Sequence, residues 1–346
     1  MDALQLTQWK HDPEVRDVPQ PDPGPGEVLL KVGGAGMCHS DLHLIHDFEA
    51  GMVPFEPPFT LGHENAGWVE ALGAGVSGLE VGQPVALYGP TGCGRCHRCV
   101  QGMQNYCERQ AELTSMAAGL GEDGGMAPYM LVRDSHRLLA LGDLDPVQAA
   151  PLTDAGLTPY HAIKRSLGLL VPGSTAVVIG VGGLGYMGVQ ILDALTPATV
   201  IAVDTRRSAL DMAASSGALH TLVPGESTAA EITELTRGKG ADVVLDFVGN
   251  ETTMQLAVAS GRPLGHITIV GIGGGTYPFG FFSAPYEASL ATTYWGSISE
   301  LMEVLEMAER GLIRAEVERV SLADAPETYR RLARGEVNGR AVVVPA

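Results

Sequence analysis

One stretch decides the fold: residues 175–195 read TAVVIGVGGLGYMGVQILDAL. It begins with the β-branched, apolar run expected of a buried strand, and it continues through closely spaced glycines into an apolar helical stretch. In this setting a G-x-G-x-x-G pattern allows a tight turn, close approach of backbone to a pyrophosphate, and close packing of helix on strand. The stretch therefore predicts a dinucleotide-binding turn, although a glycine-rich turn without a ligand is the alternative. The turn consists of Gly180, Gly182, Gly183, Leu184 and Gly185.

Around this turn, apolar strands alternate with helical stretches, which predicts a parallel sheet covered by helices. The predicted strands are 175–180, 200–204, 242–247 and 267–271. Asp204 ends the second of them, where a carboxylate can bind the ribose hydroxyls of adenosine and repel a 2′-phosphate. NAD is therefore favoured over NADP, even though Arg206 and Arg207 follow and could meet a phosphate.

The first 150 residues have a different character, since they read as short strands and turns. Predicted strands are 28–32, 68–72 and 84–88, so this part is expected to be mostly β. Beyond residue 295 a helical stretch, 298–310, and a final apolar strand, 340–344, complete the chain. The pattern alone does not say which domain this last part joins.

Four of the five cysteines lie in one C-x2-C-x2-C-x7-C run, which consists of Cys93, Cys96, Cys99 and Cys107. Two intervening residues let a loop bring both sulfurs of a C-x2-C pair onto one ion, so the run predicts a closed structural zinc site. A pair of disulfides and an iron–sulfur cluster are the alternatives.

The fifth cysteine, Cys38, stands apart and is a candidate ligand for a second, reactive metal. A catalytic zinc needs three protein ligands and an open position, and His63 is a second candidate. An isolated cysteine is also a common small buried residue, and an isolated histidine is commonly hydrogen-bonded. The residue chemistry alone does not decide whether Cys38 and His63 bind a metal.

Charge and composition exclude some partners. Asp and Glu outnumber Lys and Arg by 40 to 22, which gives a formal net charge of −18. Such a chain repels phosphate backbones and anionic lipid surfaces, so neither nucleic acid nor a membrane is an expected partner. The sequence lacks an N-terminal signal pattern and a run long enough to span a membrane, so a cytoplasmic protein is expected.

Residues 62–76, GHENAGWVEALGAGV, carry a stronger signal, because they match the zinc signature of the medium-chain alcohol dehydrogenases. The cysteine run and the Gly180 turn follow in the order and at the distances of that family, and the resemblance spans essentially the whole chain. It is similar above all to the bacterial NAD-dependent secondary alcohol dehydrogenases, through GMCHSD at 36–41, APLTDAGLTPYH at 150–161 and YWG at 294–296.

The resemblance implies that Cys38, His63 and Asp154 are the ligands of a catalytic zinc, which would act as a Lewis acid on the alcohol or carbonyl oxygen. Water or substrate would take the fourth position. Four further residues receive supporting roles: Asp41 orients the histidine ligand, Glu64 approaches the zinc during ligand exchange, and Ser40 and then His43 carry the substrate proton.

The same resemblance assigns residues to the cofactor and the substrate. Further cofactor contacts are implied at Thr158, Phe247, Val248, Gly249, Ile272 and, for the pyrophosphate, Arg340. An apolar substrate pocket is implied at His39, Phe55, Leu120, Tyr294 and Trp295.

The family fold implies an α/β protein with a GroES-like β-barrel catalytic domain and a Rossmann domain with a doubly wound parallel sheet. The expected division is 1–154, with the structural zinc loop 93–107, then the Rossmann domain 155–291, then a return to the catalytic domain at 292–346. By analogy a homotetramer is expected, with a dimer as the alternative, and the apolar stretch 267–282 is expected to supply a sheet edge for assembly.

Two other functions compete with a secondary alcohol dehydrogenase. A polyol or amino-alcohol dehydrogenase would use the same zinc and NAD but place more polar groups in the pocket. A non-catalytic, zinc-stabilised nucleotide-binding or redox-sensing protein would need only the cysteine run. It would leave Cys38, His63 and Asp154 unexplained.

Overall fold

The structure, a computed structural model, describes residues 1–345, which divide into two compact units. Within the described residues, unit 1 consists of residues 1–157 and those from 295 onwards, and unit 2 of residues 158–294. Within the described residues, none of the helices combines the length and the apolar character needed to cross a membrane.

The first part of unit 1 is built mainly from strands. They are β1 (Asp2–Leu6), β2 (Glu14–Asp17), β3 (Val28–Gly36), β4 (Phe59–Thr60), β5 (Glu64–Leu72), β6 (Pro84–Leu87), β7 (Ala117–Ala118), β8 (Gly121–Glu122), β9 (Tyr129–Val132) and β10 (Leu138–Ala140). Its helices are α1 (His39–His46), α2 (His97–Val100) and α3 (Pro146–Ala149). Short 3-10 turns lie at Gln104–Tyr106, Gln110–Glu112, Ser135–Arg137 and Ala150–Thr153.

The middle of the chain alternates between helices and strands. Its elements are α4 (Leu157–Lys164), a 3-10 turn (Leu167–Leu169), β11 (Thr175–Ile179), α5 (Gly183–Leu195), β12 (Thr199–Val203), α6 (Arg207–Ser215), β13 (His220–Leu222), α7 (Thr228–Leu235), β14 (Ala241–Asp246), α8 (Glu251–Ser260), β15 (Gly261–Ile269) and β16 (Ser289–Thr292). The strands form one parallel sheet in the order β13-β12-β11-β14-β15-β16. This order reverses direction after β11, which is the topology of a doubly wound dinucleotide-binding sheet.

The last segment, α9 (Ile298–Glu309), β17 (Val317–Val320), α10 (Ala325–Ala333) and β18 (Arg340–Val343), belongs to unit 1. Strand β18 pairs antiparallel with β3, joining Val342 to Gly36 and Val343 to Ala35. The larger sheet of unit 1 therefore runs β10-β6-β5-β3-β18-β17, with β9 also paired to β3. The strand that leads into Cys38 is thus held by the end of the chain.

Each unit has its own hydrophobic core. In unit 1, residues from both chain segments share it, since Leu30 and Leu87 lie in the same buried cluster as Tyr329 and Val343. In unit 2 the core follows the buried faces of the sheet, with Val177, Ile201, Val244 and Ile267 fully or almost fully buried. Buried β-branched residues on both sides of a strand are typical of a parallel sheet covered by helices.

One detail of the sequence prediction is wrong. The apolar stretch 267–282 does not supply the sheet edge, because Ile267–Ile269 lie inside the sheet, where β15 is paired with both β14 and β16. The edge strands are β13 and β16, and β16 is the edge next to β15. The more polar sequence of β16, SLAT, carries no periodic signal from which an edge strand could be recognised.

Candidate functional site

A buried group of metal-ligand side chains lies in unit 1. Ligand atoms of Cys38, His63, Glu64 and Asp154 all lie within 4.8 Å of one another. Cys38 is the residue before α1, His63 directly precedes β5, and Asp154 ends the 3-10 turn Ala150–Thr153. Strand pairing brings them together, because Gly36 at the end of β3 is paired with Glu64 at the start of β5.

The donor atoms have the separations that one tetrahedral ion requires. Zinc bonds of about 2.0–2.3 Å place neighbouring ligand atoms about 3.3–3.8 Å apart. The Cys38 sulfur lies 3.8 Å from Asp154 Oδ2, and His63 Nε2 lies 3.6 Å from the same oxygen. A thiolate, an imidazole and a carboxylate are all zinc ligands, so these residues fit the ion.

A second carboxylate lies beside His63. The ring Nδ1 of His63 is 3.0 Å from Asp41 Oδ1, an ion-pair contact without the geometry of a hydrogen bond, and Nε2 lies on the side of Cys38 and Asp154. Burial opposes a charge on His63, but Asp41 and Asp154 outweigh burial and raise the pKa of the imidazole well above its usual value. The surroundings of Nε2 are therefore strongly anionic and favour a cation.

Glu64 is held by two partners. Its oxygens accept hydrogen bonds from Arg340, with Arg340 Nε 2.9 Å from Oε2, and from the Ala155 N–H at 3.1 Å from Oε1. Burial raises the pKa of Glu64 even though the guanidinium opposes this. With Glu64 bound in this way, Cys38, His63 and Asp154 are the candidate ligands, and three ligands would leave the fourth position of a tetrahedral ion open.

The predicted proton carriers lie along α1. Ser40 is half-buried, with Oγ 3.4 Å from His63 Nε2. His43, one turn later on the same face of the helix, is half-buried and pairs with Asp47 through Nδ1 and Oδ2 at 2.6 Å. The two residues therefore lead from the buried cluster towards the surface.

The five residues predicted for the substrate pocket lie in different surroundings. Trp295 is buried, and its ring centroid is 5.7 Å from that of His63. Its φ of 55° is a left-handed conformation, which costs a bulky residue about 1–2 kcal/mol. Phe55 packs against Phe59 in the core of unit 1, and Leu120 packs against the same core. His39 is exposed and Tyr294 is half-buried, and a pocket role for all five residues stays a prediction.

The four clustered cysteines form the second candidate metal site. Their sulfurs lie within 4.8 Å of one another, and those of Cys96 and Cys107 are 4.0 Å apart, close to the roughly 3.8 Å edge of a tetrahedral zinc–sulfur site. The N–H of Cys99 lowers the pKa of Cys96 to about 6 and so favours the thiolate that binds metal. All four, Cys93, Cys96, Cys99 and Cys107, are free thiols in the structure, which fits zinc better than disulfides.

In unit 2 the glycine turn has the geometry expected of a pyrophosphate cradle. Gly180 has a φ of 83°, and a Cβ on Gly185 would lie 1.9 Å from the Gly180 carbonyl oxygen. A Cβ on Gly182 would meet nothing within 4 Å among the described residues. Gly182 is also the N-cap of α5 and has no side chain to cap it, so the N–H groups of the first turn, which includes Gly183 and Leu184, are available to an anion.

Asp204 lies beside this turn. Its Oδ2 accepts a hydrogen bond from the Val181 N–H at 2.7 Å, and its Oδ1 accepts one from the Arg206 N–H at 2.8 Å. The Arg206 side chain lies 3.4 Å from the same carboxylate, so its charge is already paired. This arrangement keeps a carboxylate, rather than a free guanidinium, next to the glycine turn.

The other predicted cofactor residues lie in two places. Phe247, Val248 and Gly249 follow β14, where the buried Asp246 carboxylate accepts the N–H groups of the last two at 2.9 and 3.0 Å. Ile272 is exposed, and Thr158 is buried at the start of α4. Arg340 lies in unit 1 in its ion pair with Glu64, 3.9 Å from Asp154.

Sequence reasoning missed one partner of this site. Tyr329, on α10, is buried, and its hydroxyl donates to Asp41 Oδ2 at 2.8 Å. The two residues are 288 positions apart, and α10 carries no motif that points to a metal site. The contact between Tyr329 and Asp41 can therefore be recognised only in the folded structure.

Comparison with known proteins identifies the family of the chain. Residues 24–143 match the family model of the alcohol dehydrogenase GroES-like domain, and residues 183–310 match that of the zinc-binding dehydrogenases. An NAD-dependent alcohol dehydrogenase of Sulfurisphaera tokodaii is 34% identical over 357 residues, covering 100% of both chains. The chain belongs to the zinc-dependent medium-chain alcohol dehydrogenase family. The predicted family, fold class and enzyme class are therefore confirmed.

Two further proteins similar to this chain show how far its relatives differ. The crystal structure of an alcohol dehydrogenase from Aeropyrum pernix has a TM-score of 0.92 and 36% identity, with 100% of each chain covered. The D-arabinose 1-dehydrogenase (NADP(+)) of Saccharolobus solfataricus is 34% identical, covering 99% of this chain and 97% of its own. Similar sequences therefore act on different alcohols and use different nicotinamide cofactors.

Proposed function

We propose that this protein oxidises secondary, and some primary, alcohols to ketones or aldehydes with NAD and catalyses the reverse reductions with NADH. The observation that carries the proposal is the buried Cys38, His63 and Asp154 set beside the ring of Trp295. When bound, zinc supplies Lewis acidity at the substrate oxygen and NAD supplies the hydride acceptor.

In this proposal the chain's own residues prepare the site for the ion. Cys38, His63 and Asp154 hold the catalytic zinc, and Asp41 fixes the ring of His63. Glu64, paired with Arg340, lies beside these three residues and would be the carboxylate within reach of a bound zinc during ligand exchange. Cys93, Cys96, Cys99 and Cys107 hold the structural zinc in loop 93–107.

Proton movement is assigned to α1. The Ser40 hydroxyl, 3.4 Å from His63 Nε2, takes the proton of the substrate hydroxyl. His43 then carries it onward, and Asp47 supports this role by holding His43 Nδ1 at 2.6 Å.

The cofactors are NAD and zinc, as the sequence predicts. We assign the pyrophosphate of NAD to the glycine turn at Gly180, Gly182, Gly183, Leu184 and Gly185, because Gly182 leaves open space there. Asp204 is assigned to the adenosine ribose. Further contacts are assigned to Thr158, Phe247, Val248, Gly249, Ile272 and Arg340.

Apolar alcohols are the proposed substrates, because the Trp295 ring lies against His63. His39, Phe55, Leu120 and Tyr294 complete the proposed pocket. A polyol or amino-alcohol dehydrogenase is the second candidate, and the 34% identity to a D-arabinose 1-dehydrogenase supports its polyol form.

Domain limits, assembly and location belong to the same proposal. The catalytic domain is placed at 1–154 and 292–346, and the NAD domain at 155–291, close to the limits of the two compact units. A homotetramer is supported by the edge strand β16 and by exposed aromatic residues at 279–286. A cytoplasmic location is supported by five cysteines that are all free.

The decisive experiment measures NADH oxidation with acetophenone and with dihydroxyacetone, together with zinc per chain. We expect turnover of acetophenone and two zinc ions per chain. Faster turnover of dihydroxyacetone would favour the polyol alternative. One zinc per chain with no turnover of either ketone would contradict the assignment of Cys38, His63 and Asp154.

A further inference from the structure

The Asp41 carboxylate connects two of the proposed catalytic zinc ligands. Its Oδ2 accepts the Cys38 N–H at 2.9 Å, and its Oδ1 lies 3.0 Å from His63 Nδ1. Asp41 is 1% exposed, so water contributes little to fixing its orientation. The direction in which the carboxylate points therefore acts on the backbone of Cys38 and on the imidazole of His63 together.

Tyr329 supplies the anchor of this carboxylate from another part of the chain. Its hydroxyl lies 2.8 Å from Asp41 Oδ2 and 3.5 Å from the Met126 sulfur. Burial, followed by the nearby Asp41, raises the pKa of Tyr329 well above its usual value, so the hydroxyl stays a donor at any ordinary pH. A phenol that keeps its proton makes a charge-assisted hydrogen bond to the carboxylate.

We propose that Tyr329 is a positioning residue of the catalytic metal centre, which holds Asp41 so that Asp41 in turn orients His63 and Cys38. The inference rests on the proposed function, because it takes Cys38, His63 and Asp154 as the zinc ligands. It extends the site to α10, an element more than 280 residues along the chain from Asp41.

Tyr329 can hold the Asp41 carboxylate because Asp41 Oδ2 accepts two hydrogen bonds. With both the Cys38 N–H and the Tyr329 O–H on Oδ2, the carboxylate cannot rotate without breaking a buried hydrogen bond. Without the hydroxyl, one anchor remains, and Oδ1 is no longer fixed opposite His63. Loss of such an outer partner of a metal ligand typically weakens metal binding by about 10- to 100-fold.

The test compares Tyr329→Phe, which removes only the hydroxyl, with Thr328→Val on the same helix. Thr328 is 3% exposed, and its hydroxyl donates to the Asp324 carbonyl oxygen at 3.0 Å, so the control also loses one buried hydrogen bond. Zinc retention is measured by competition with dipicolinate in the full-length protein. The protein is also loaded with Co²⁺ at the catalytic site, and its visible absorption bands are recorded.

We expect Tyr329→Phe to bind the catalytic metal about 10-fold more weakly and to shift the cobalt bands, with Thr328→Val like the parent in both. Equal affinities and equal spectra in the two variants would overturn the role of Tyr329, with the two-zinc parent still supporting the proposed function. A parent that holds one zinc per chain would overturn both.

A second measurement needs no substitution and covers a Tyr329→Phe variant that does not fold. Because coupling between two sites is reciprocal, filling the metal site must stabilise the Tyr329 contact if that contact stabilises the metal site. Hydrogen exchange of the unmodified protein, with and without the catalytic zinc, should be slower at residues 325–333 when zinc is present. Exchange that slows in α1 and stays unchanged at 325–333 would overturn the proposal.

Discussion

Asp154 illustrates what a single residue can contribute to the proposed metal site. It lies at the end of a 3-10 turn, within 3.8 Å of the Cys38 sulfur and 3.6 Å of His63 Nε2. Chemistry read from the sequence cannot select it among 40 acidic residues, and the family resemblance alone brought it forward. Its position beside two softer ligands is a property of the folded chain.

Replacing Asp154 by Ala should remove one ligand of the proposed catalytic zinc. We expect turnover to fall by more than about 100-fold, since a direct ligand should matter at least as much as an outer partner. Zinc content should fall from two towards one per chain, while the dinucleotide turn in unit 2 is unchanged. Asp143→Ala, at an exposed position, is the control. An Asp154→Ala enzyme with two zinc ions and full activity would contradict the assignment.

Asp204 determines cofactor choice in our proposal. Replacing Asp204 by Gly should lower the preference for NAD over NADP, because a charged hydrogen bond of about 1.5–3 kcal/mol, or roughly 10- to 100-fold, is lost. Arg206 is also released from its ion pair and can then meet a 2′-phosphate. The ratio of kcat/KM for the two cofactors is the measurement. An unchanged ratio would mean that Asp204 does not contact the ribose.

At the level of elements, a hydrogen bond between the buried Ser166 and the half-buried His266 connects the segment after α4 to the sheet of unit 2. Ser166 is 2% exposed, and its hydroxyl lies 2.6 Å from Nδ1 of His266 on β15. Burial, and then the charge of Arg165, lower the pKa of His266. The folded protein therefore holds this imidazole neutral.

This pair predicts a dependence of stability on pH. The pKa of His266 is lower in the folded protein than its value of about 6.5 in the unfolded chain. The contribution of the neutral imidazole to stability is therefore complete above pH 6.5 or so, and it is lost as the pH falls below that value. We expect the melting temperature of the parent to fall more between pH 7.5 and 5.5 than that of His266→Gln, whose side chain does not titrate. Parallel curves for the two proteins would show that His266 does not contribute.

Some strands could be predicted from the sequence and others could not. Strands β11, β12 and β14 were predicted to within one residue of each end, because continuous apolar runs identify buried parallel strands. Strand β5 was predicted too short, since Glu64 and Asn65 are polar and yet buried through tertiary contacts. The partner of β18 could not be predicted, because pairing between β3 and β18 leaves no periodic trace in either strand.

At the scale of the whole molecule, unit 2 presents a group of exposed aromatic side chains near its edge strand. Phe279, Phe281 and Phe282 are 72%, 77% and 87% exposed, and Tyr286 is 60% exposed. Exposed apolar groups of this size are typical of interaction surfaces. We therefore assign this surface to contact between copies of the chain.

Replacing both Phe281 and Phe282 by Ser should weaken the assembly. We expect light scattering to report a smaller species than the parent at the same concentration, with an unchanged melting curve for the NAD-binding unit. Replacing the exposed Val81 of unit 1 by Ser is the control. A parent that is already monomeric, or a double variant of unchanged mass, would contradict the assignment.

The ion pair between Glu64 and Arg340 has a consequence for synthesis of the chain. The two residues are 276 positions apart. At a rate of synthesis of about 5–20 residues per second, Arg340 is added to the chain roughly 14–55 s after Glu64. During that interval all of unit 2 has emerged and can fold, while the strand that closes unit 1 is still missing. Cys93 to Cys107 emerge together and can take up their zinc during translation. The proposed catalytic ligands Cys38, His63 and Asp154 also emerge before Arg340, so the ion pair that holds Glu64 is the last contact of that site to form.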